Sequence, residues 1–377
     1  MRLLTDGAES GDISRLTVPG VAVVRTFANG ENNIGGAYSY GGNGNLGAYV
    51  QVALPSTYTE LYIRIASIQW GDNTTLNTLR QPIAWLDSSG NVLGSILVSW
   101  PANAYNPADI EVYVGGSQVA ILNVSLPQVI WRSWEVHLIM SSNASIGKVQ
   151  LRIDGDLKID FTGATGATAV GRIGWAGWLS SGSVWDVFDD IAVNDTSGGT
   201  DTSWCGNGFV VVPLTPNGAG NYTDLLSYDA NPPYANVQAL PATGTYVYES
   251  TINLKSTYAM TNRQALRSDY AVRRVWVEAS AKSAAAGSIA TLLRSRGTDA
   301  QGTDQTLTTS YVRYLSADYF VDPSDSSPWR TVRINGIEAG VILRASTEIR
   351  IQQVLLQMEI YREGIRYQGP ALQMGSA

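Results

Sequence analysis

Apolar and polar residues alternate with a period of two along most of this chain, in short runs separated by turn residues. That pattern admits half-buried β-strands and little else. In the first half such runs lie at 21–28 (VAVVRTFA), 47–53, 60–69 (ELYIRIASIQ), 82–87, 92–99, 110–114, 119–124, 131–140 (WRSWEVHLIM), 148–154, 157–161 and 184–194. Asn43-Gly44, Ser89-Gly90-Asn91, Gly115-Gly116 and Asp154-Gly155-Asp156 punctuate them, residues that accept the positive φ of tight hairpin turns. A polar, glycine-rich stretch at 195–203 (DTSGGTDTS) interrupts the pattern. Strands resume at 208–214 (GFVVVPL), 245–254, 270–280, 287–296, 305–315, 340–345 and 347–361. Residues 283–294 have helix-friendly composition, but Gly287 and the alternation after it favour a strand. Residues 328–337 would hold one short helix, because Pro328 fits a first helical turn.

The fold class expected is all-β, with two antiparallel β-sandwich (jelly-roll-like) domains. Residues 1–195 form the first, 196–203 a linker, 204–361 the second, and 362–377 an extended tail carrying Gly364, Gly369, Pro370 and Gly375. Each half is long enough to bury roughly 70% of its unfolded surface without a covalent or metal staple.

Composition removes several chemistries. The chain has one Cys (Cys205) and one His (His137), so it holds neither an intrachain disulfide nor a Cys/His zinc or iron site. A Ser-His-Asp triad would have to use His137, which sits inside the alternating run WEVHLIM as a packed or solvated strand residue. The opening MRLLTDGAESGD has no apolar core of a secretion signal, so none is expected. No apolar run approaches the ~18 residues of a membrane span, so no membrane insertion is expected. Residues 1–195 hold 10 Lys+Arg against 17 Asp+Glu, and residues 196–377 hold 15 against 15. The net −7 therefore lies entirely in the first half, and no basic face for nucleic acid is expected.

Three groups of residues are candidates for binding. Eight of the 11 Trp lie in the first half. Trp175 and Trp178, in GWAGW, have glycine neighbours that would leave the indoles open to stack on a sugar ring; packing in the core or an oligomer interface is the other reading. Only four of the 25 basic residues are Lys. In the balanced half Arg263, Arg267, Arg273, Arg274, Arg344, Arg350, Arg362 and Arg366 are candidates for docking or oligomer contacts, since the guanidinium pairs with carboxylates in a fixed fork. On strict alternation Asp186, Phe188 and Asp190 would share one face of their strand and Asp189 the other.

The order of motifs adds a resemblance. WRSW opens a strand at 131–134, GKVQLRI leads into Asp154-Gly155, and Trp185-Asp186-Val187-Phe188-Asp189-Asp190-Ile191-Ala192-Val193 closes the first half. This order resembles the concanavalin A-like (laminin-G-like) jelly roll, and LLTDGAESGDIS resembles its first strand, with Ala8 in place of the usual aromatic. The closing FDDI run is followed by a W-x-G stretch from Trp204 to Gly220, then Tyr246-Val247-Tyr248, Leu307–Tyr311, Asp322-Pro323, Pro328-Trp329 and Gly340-Val341. In that order these look like a class of tailed-bacteriophage virion proteins. The resemblance implies a structural role at tail, fibre or capsid surface, localisation in the virion, other virion proteins as partners, and a homo-oligomer, with a trimer first. The alternative is a lectin-like adhesin that recognises host-surface glycan. Laminarinase-like enzymes of the same superfold use two Glu flanking an Asp on one strand; that pattern is missing here, so no enzyme is expected. Related sandwiches sometimes tie first strand to last with a structural calcium, for which Glu9, Asp12 and Asp190 are the candidates; otherwise Asp189 and Asp190 satisfy backbone groups.

Overall fold

Two of the expected turns have the backbone that their dipeptides favour. Asp154 and Gly155 both take positive φ (53° and 89°), as do Gly115 and Gly116 (57° and 81°). Such pairs turn the chain with the twist of the flanking strands. They close the hairpins Lys148–Ile153 to Asp156–Thr162 and Ala108–Val114 to Ser117–Val124. The computed structural model describes residues 1–6, 16–17, 21–26, 38–43, 50–70, 78–100, 108–124, 132–177, 185–206, 209–239, 242, 244–261, 270–345 and 347–362.

Among these residues the strands form four antiparallel sheets, arranged as two jelly-roll-like sandwiches. Sheet I runs in the order Asp156–Thr162, Lys148–Ile153, Arg132–Ile139, Glu60–Trp70, Trp185–Asn194, Tyr38–Asn43 and Val21–Thr26, with Arg2–Asp6 also on Trp185–Asn194. Sheet II runs Ser117–Val124, Ala108–Val114, Val92–Trp100, Thr78–Leu86, Val170–Gly177, Val50–Tyr58 and Leu16–Thr17. Alternation sends Leu61, Ile63, Ile65, Trp134 and Val136 of sheet I inward to join Ile83, Trp85, Ile96 and Val112 of sheet II. Trp85 lies across the ladder from Gly94. A Cβ there would sit 2.3 Å from the indole, so only glycine lets the ring lie flat on its partner strand.

Sheet III runs Leu226–Ser227, Val247–Glu249, Ile349–Arg362, Tyr270–Ser283 and Val312–Leu315, with Phe209–Leu214 also on Ile349–Arg362. Sheet IV runs Pro216–Thr223, Lys255–Met260, Ile337–Leu343, Ser288–Ser295 and Thr298–Gln301, with Gln305–Thr306 on Ser288–Ser295. Val275, Val277, Val354 and Leu356 of sheet III pack on Ile289, Leu293, Val341 and Leu343 of sheet IV.

Residues 283–294 lead into the strand Ser288–Ser295, and the short helix is Thr331–Ile334. Alternation does not reveal Val170–Gly177 or Pro216–Thr223, whose glycines, and in the latter a proline, read as turn; neighbours on both sides impose the pairing on Val170–Gly177, and Pro216–Thr223 is an edge strand held by Lys255–Met260, a place that tolerates proline. Of the expected strand at 245–254 only Val247–Glu249 forms, with Lys255–Met260 beginning just beyond it, and the expected strand at 305–315 divides in two. Val247–Glu249 and Val312–Leu315 belong to sheet III, and Lys255–Met260 and Gln305–Thr306 to sheet IV.

Candidate functional site

The run Phe209–Leu214 (FVVVPL) is apolar on both faces, so both faces need cover. Val210, Val212 and Leu214 enter the core of the second sandwich. Phe209 and Val211 point the other way, into a small cluster with Ala192, Cys205 and Trp276, flanked by Tyr62 and Tyr361. Tyr62 and Ala192 belong to sheet I, so sheets I and III meet through their outer faces at a buried seam.

Charge surrounds this apolar centre. The Arg64 guanidinium lies 4.0 Å from the Phe209 ring and donates to Ser133 Oγ (3.0 Å) and the Asp190 carbonyl (2.7 Å). Glu359 accepts from Arg2 (3.4 Å), from Arg273 (3.3 Å) and from Arg274. Arg274 also pairs with Asp318, and Arg273 with Asp201. From the joining segment, the Gly206 N–H donates to Glu135 (2.6 Å), and Arg152 lies 4.0 Å from the Trp204 ring. Arg64, Arg274, Asp190 and Glu359 are all fully buried. Burial alone would raise the Glu359 carboxyl, but Arg2, Arg274 and Arg273 together hold it down at about 2. Glu135 and Asp318 go the other way: desolvation raises them against the pull of Arg64 and Arg274 respectively. Burial pushes the Cys205 thiol up to about 12, which makes it unreactive.

The placement of the expected residues differs from the alternation reading in several respects. Trp175 is not a surface residue: it is fully buried in the first core, 6.0 Å from Phe188, so the glycan site expected on it is corrected. Its neighbouring glycines lie in a central strand whose face is covered, which local composition does not reveal. Trp178 lies outside the described residues. Asp190 does not share a face with Phe188. It takes positive φ (46°) in a bulge between Asp189 and Ala192, so Phe188, Ile191 and Val193 turn into the core while Asp190 faces the seam. Its Oδ1 accepts the Val211 N–H (2.9 Å), and Asp189 Oδ1 accepts the Asp190 N–H (2.8 Å). Glu9 and Asp12 lie outside the described residues, and among the described residues no group of three acidic, His or Cys side chains is placed to hold a metal ion.

The arginine group also divides. Arg274 is fully buried and Arg273 spends its guanidinium on Asp201 and Glu359, so both bind within their own chain; their assignment to contacts between chains is corrected. Strand periodicity shows which face a residue takes but not that another sandwich covers it. Arg344 donates to Asp304 (3.1 Å), Gln301 (2.7 Å) and Asn253 (3.1 Å) at the surface, and Arg350 to Glu348 (2.6 Å). Arg362 ends its strand opposite Tyr270. Arg263, Arg267 and Arg366 lie outside the described residues. His137 is a packed strand residue, its Nε2 2.9 Å from Glu60 and Nδ1 3.0 Å from Gln150, stacked on Tyr62 at 4.2 Å.

Residues that sequence reasoning passed over carry the seam: Arg2, Arg64, Glu135, Asp201 and Phe209. The available signal was FVVVPL itself, a run too apolar for a strand with one wet face. Asp201 lies in the expected linker, yet its side chain is 1% exposed. Beside the seam Arg2, Leu4, Trp276, Leu315, Asp318 and Phe320 line a cleft of about 410 Å³.

No protein-family model matches this sequence, and no curated protein matches it. Solved structures of similar fold include the carbohydrate-binding module CBM66 from Bacillus subtilis, at 12% identity and TM-score 0.30, covering 48% of this chain and 96% of that one. The β-glucanase of Bacillus licheniformis matches at 10% identity and TM-score 0.33, covering 51% and 97%. The carbohydrate recognition domain of Emp46p matches at 9% and 0.34, covering 51% and 95%. Catalytic and non-catalytic domains stand side by side among them.

Proposed function

We propose that the chain is a non-catalytic structural component of a bacteriophage particle, a two-sandwich building unit whose halves are held in one register. The observation that supports this reading is the seam. Its apolar centre gives attraction, and in its ionic surround Glu359 is shared by three guanidiniums, one of them Arg2 from the first sandwich. A unit of this kind transmits load between neighbours without hinging. The particle assignment rests on the motif order from Trp185 to Gly340 and on the charge division, which favours an outward-facing acidic half and a docking second half. Mass spectrometry and electron cryo-microscopy of purified particles test it. The expected result is this chain in the particle with residues 1–195 facing solvent; the reverse orientation, or no such chain, overturns it.

A second reading, recognition of surface glycan, is favoured by one observation: a cluster of partly exposed tyrosines on sheet III, well away from Trp175 in sequence and in fold.

A further inference from the structure

The outer face of sheet III has a second end, beyond the seam. One row of cross-strand neighbours there reads Leu226, Tyr248, Arg350 and Lys282 on four successive strands. Tyr311 stands beside Lys282, because Val312 pairs with Ala281 on the adjoining strand. The residues that alternate with this row, Val247, Ile349, Ile351 and Ala281, enter the core, so the row itself faces outward. Tyr246 and Tyr228 extend it: their rings lie 4.5 Å apart, and Tyr246 meets Tyr248 edge-on at 6.1 Å. The Arg350 guanidinium lies 4.9 Å from the Tyr246 ring, and Lys282 Nζ 4.4 Å from that of Tyr311. Tyr228 remains 59% exposed.

Tyrosine gives broad, stiff contact area with a polar tip at small entropic cost. A pyranose ring offers the complement: a face of C–H groups that lies on an aromatic ring, edged by hydroxyls that both donate and accept. The Arg350–Glu348 pair supplies a donor and an acceptor side by side. It also leaves its own charge balanced, whereas Lys282 has no carboxylate partner among the described residues. Within the outward row itself Lys282 is therefore the cation left over.

We propose that this tyrosine platform is a binding site for an acidic glycan, one whose pyranose units carry carboxylates, with the rings on Tyr246 and Tyr248 and a carboxylate against Lys282. The proposal deepens the glycan reading above and rests on it. It places the site on the balanced half of the chain and not on the tryptophan-rich half.

The test is calorimetric titration of the whole chain with hexuronate oligosaccharides and with neutral glucose oligosaccharides of equal length. The expected result is binding of the hexuronate, weakened about tenfold or more by Tyr248→Ala or Tyr246→Ala, which corresponds to about 1.4 kcal/mol. Lys282→Gln should bring hexuronate affinity down to that for the neutral oligosaccharide. Circular dichroism melts identify any variant that fails to fold, and Tyr228→Ala, at an exposed position, stands in for it. Hexuronate binding that none of these variants changes overturns the platform but leaves the glycan reading standing elsewhere on the chain. Neutral sugar bound as tightly as acidic overturns the assigned class. No binding of either, on a panel that also includes whole host polysaccharides, overturns both.

Discussion

The outer face of sheet III is built from the same two long strands along its whole length, and its two ends have opposite fates. At one end Arg274 and Glu359 face each other across Tyr270–Ser283 and Ile349–Arg362, both fully buried. At the other end Lys282 and Arg350 face each other on the same pair of strands, and the Arg350 side chain is 39% exposed. Both pairs are charged, and both lie on the outward side of the alternation. What differs is the cover. Burial at the seam obliges each charge to find a partner, because an unpaired charge there costs several kcal/mol, whereas at the open end solvent does that work.

The sharpest way to break this comparison is to remove the shared carboxylate. Glu359→Gln leaves three guanidiniums around a neutral amide and should cost about 3–5 kcal/mol, read as a fall in denaturation midpoint. A loss under about 1 kcal/mol would mean that the seam is wetter than described. Phe209→Ala removes the ring between Arg64 and the seam and should cost about 3 kcal/mol. If the seam is what couples the sandwiches, this variant should melt in two steps where the parent melts in one.

Acid sharpens the comparison further. Glu359 is depressed below its ordinary value, so its stabilising effect is complete above pH ~5 and is lost as pH falls through 4.5 toward 2. The stability gap between the parent and Glu359→Gln should therefore shrink on acidification, and melts at pH 7 and pH 3 measure it. Glu135 and Asp318 have the opposite sign. Each is raised, so the neutral form is favoured in the fold, and its contribution is present at low pH and lost as pH rises through the raised value. Glu135→Gln keeps an acceptor for the Gly206 N–H and should cost clearly less than Glu359→Gln at pH 7. The smallest effect belongs to the open end: Arg350→Gln should change stability by under about 1 kcal/mol, checked in the same melts. Cys205 gives a companion readout, since its buried thiol should stay silent to a thiol reagent at pH 8 until the protein unfolds.

Much of this architecture was legible from the residues. Strands such as Glu60–Trp70 and Arg132–Ile139 are two-faced in sequence and two-faced in space, because one face meets the first core and the other carries the tyrosine and charged groups of the seam. Trp175 shows where that logic ends. Glycine neighbours suggest an accessible indole, but accessibility depends on the sheet that lies opposite. Asp190 shows a second limit. A single positive φ reverses which side of the strand the following residues take, and nothing in DVFDDIAV announces it. Asp201 shows a third, for a polar linker residue became one of the most buried acids when Arg2 and Arg273 converged on it.

By itself the sequence determined the fold class, the tight turns at Asp154-Gly155 and Gly115-Gly116, and that no disulfide forms within the chain. These follow from local periodicity, local φ preference and plain residue count. Only the tertiary structure decided which outward-facing charges are buried and which meet solvent. A side chain's environment is set by whatever packs against its face, and at the seam that partner can be as distant in the chain as Glu359 is from Arg2, 357 residues.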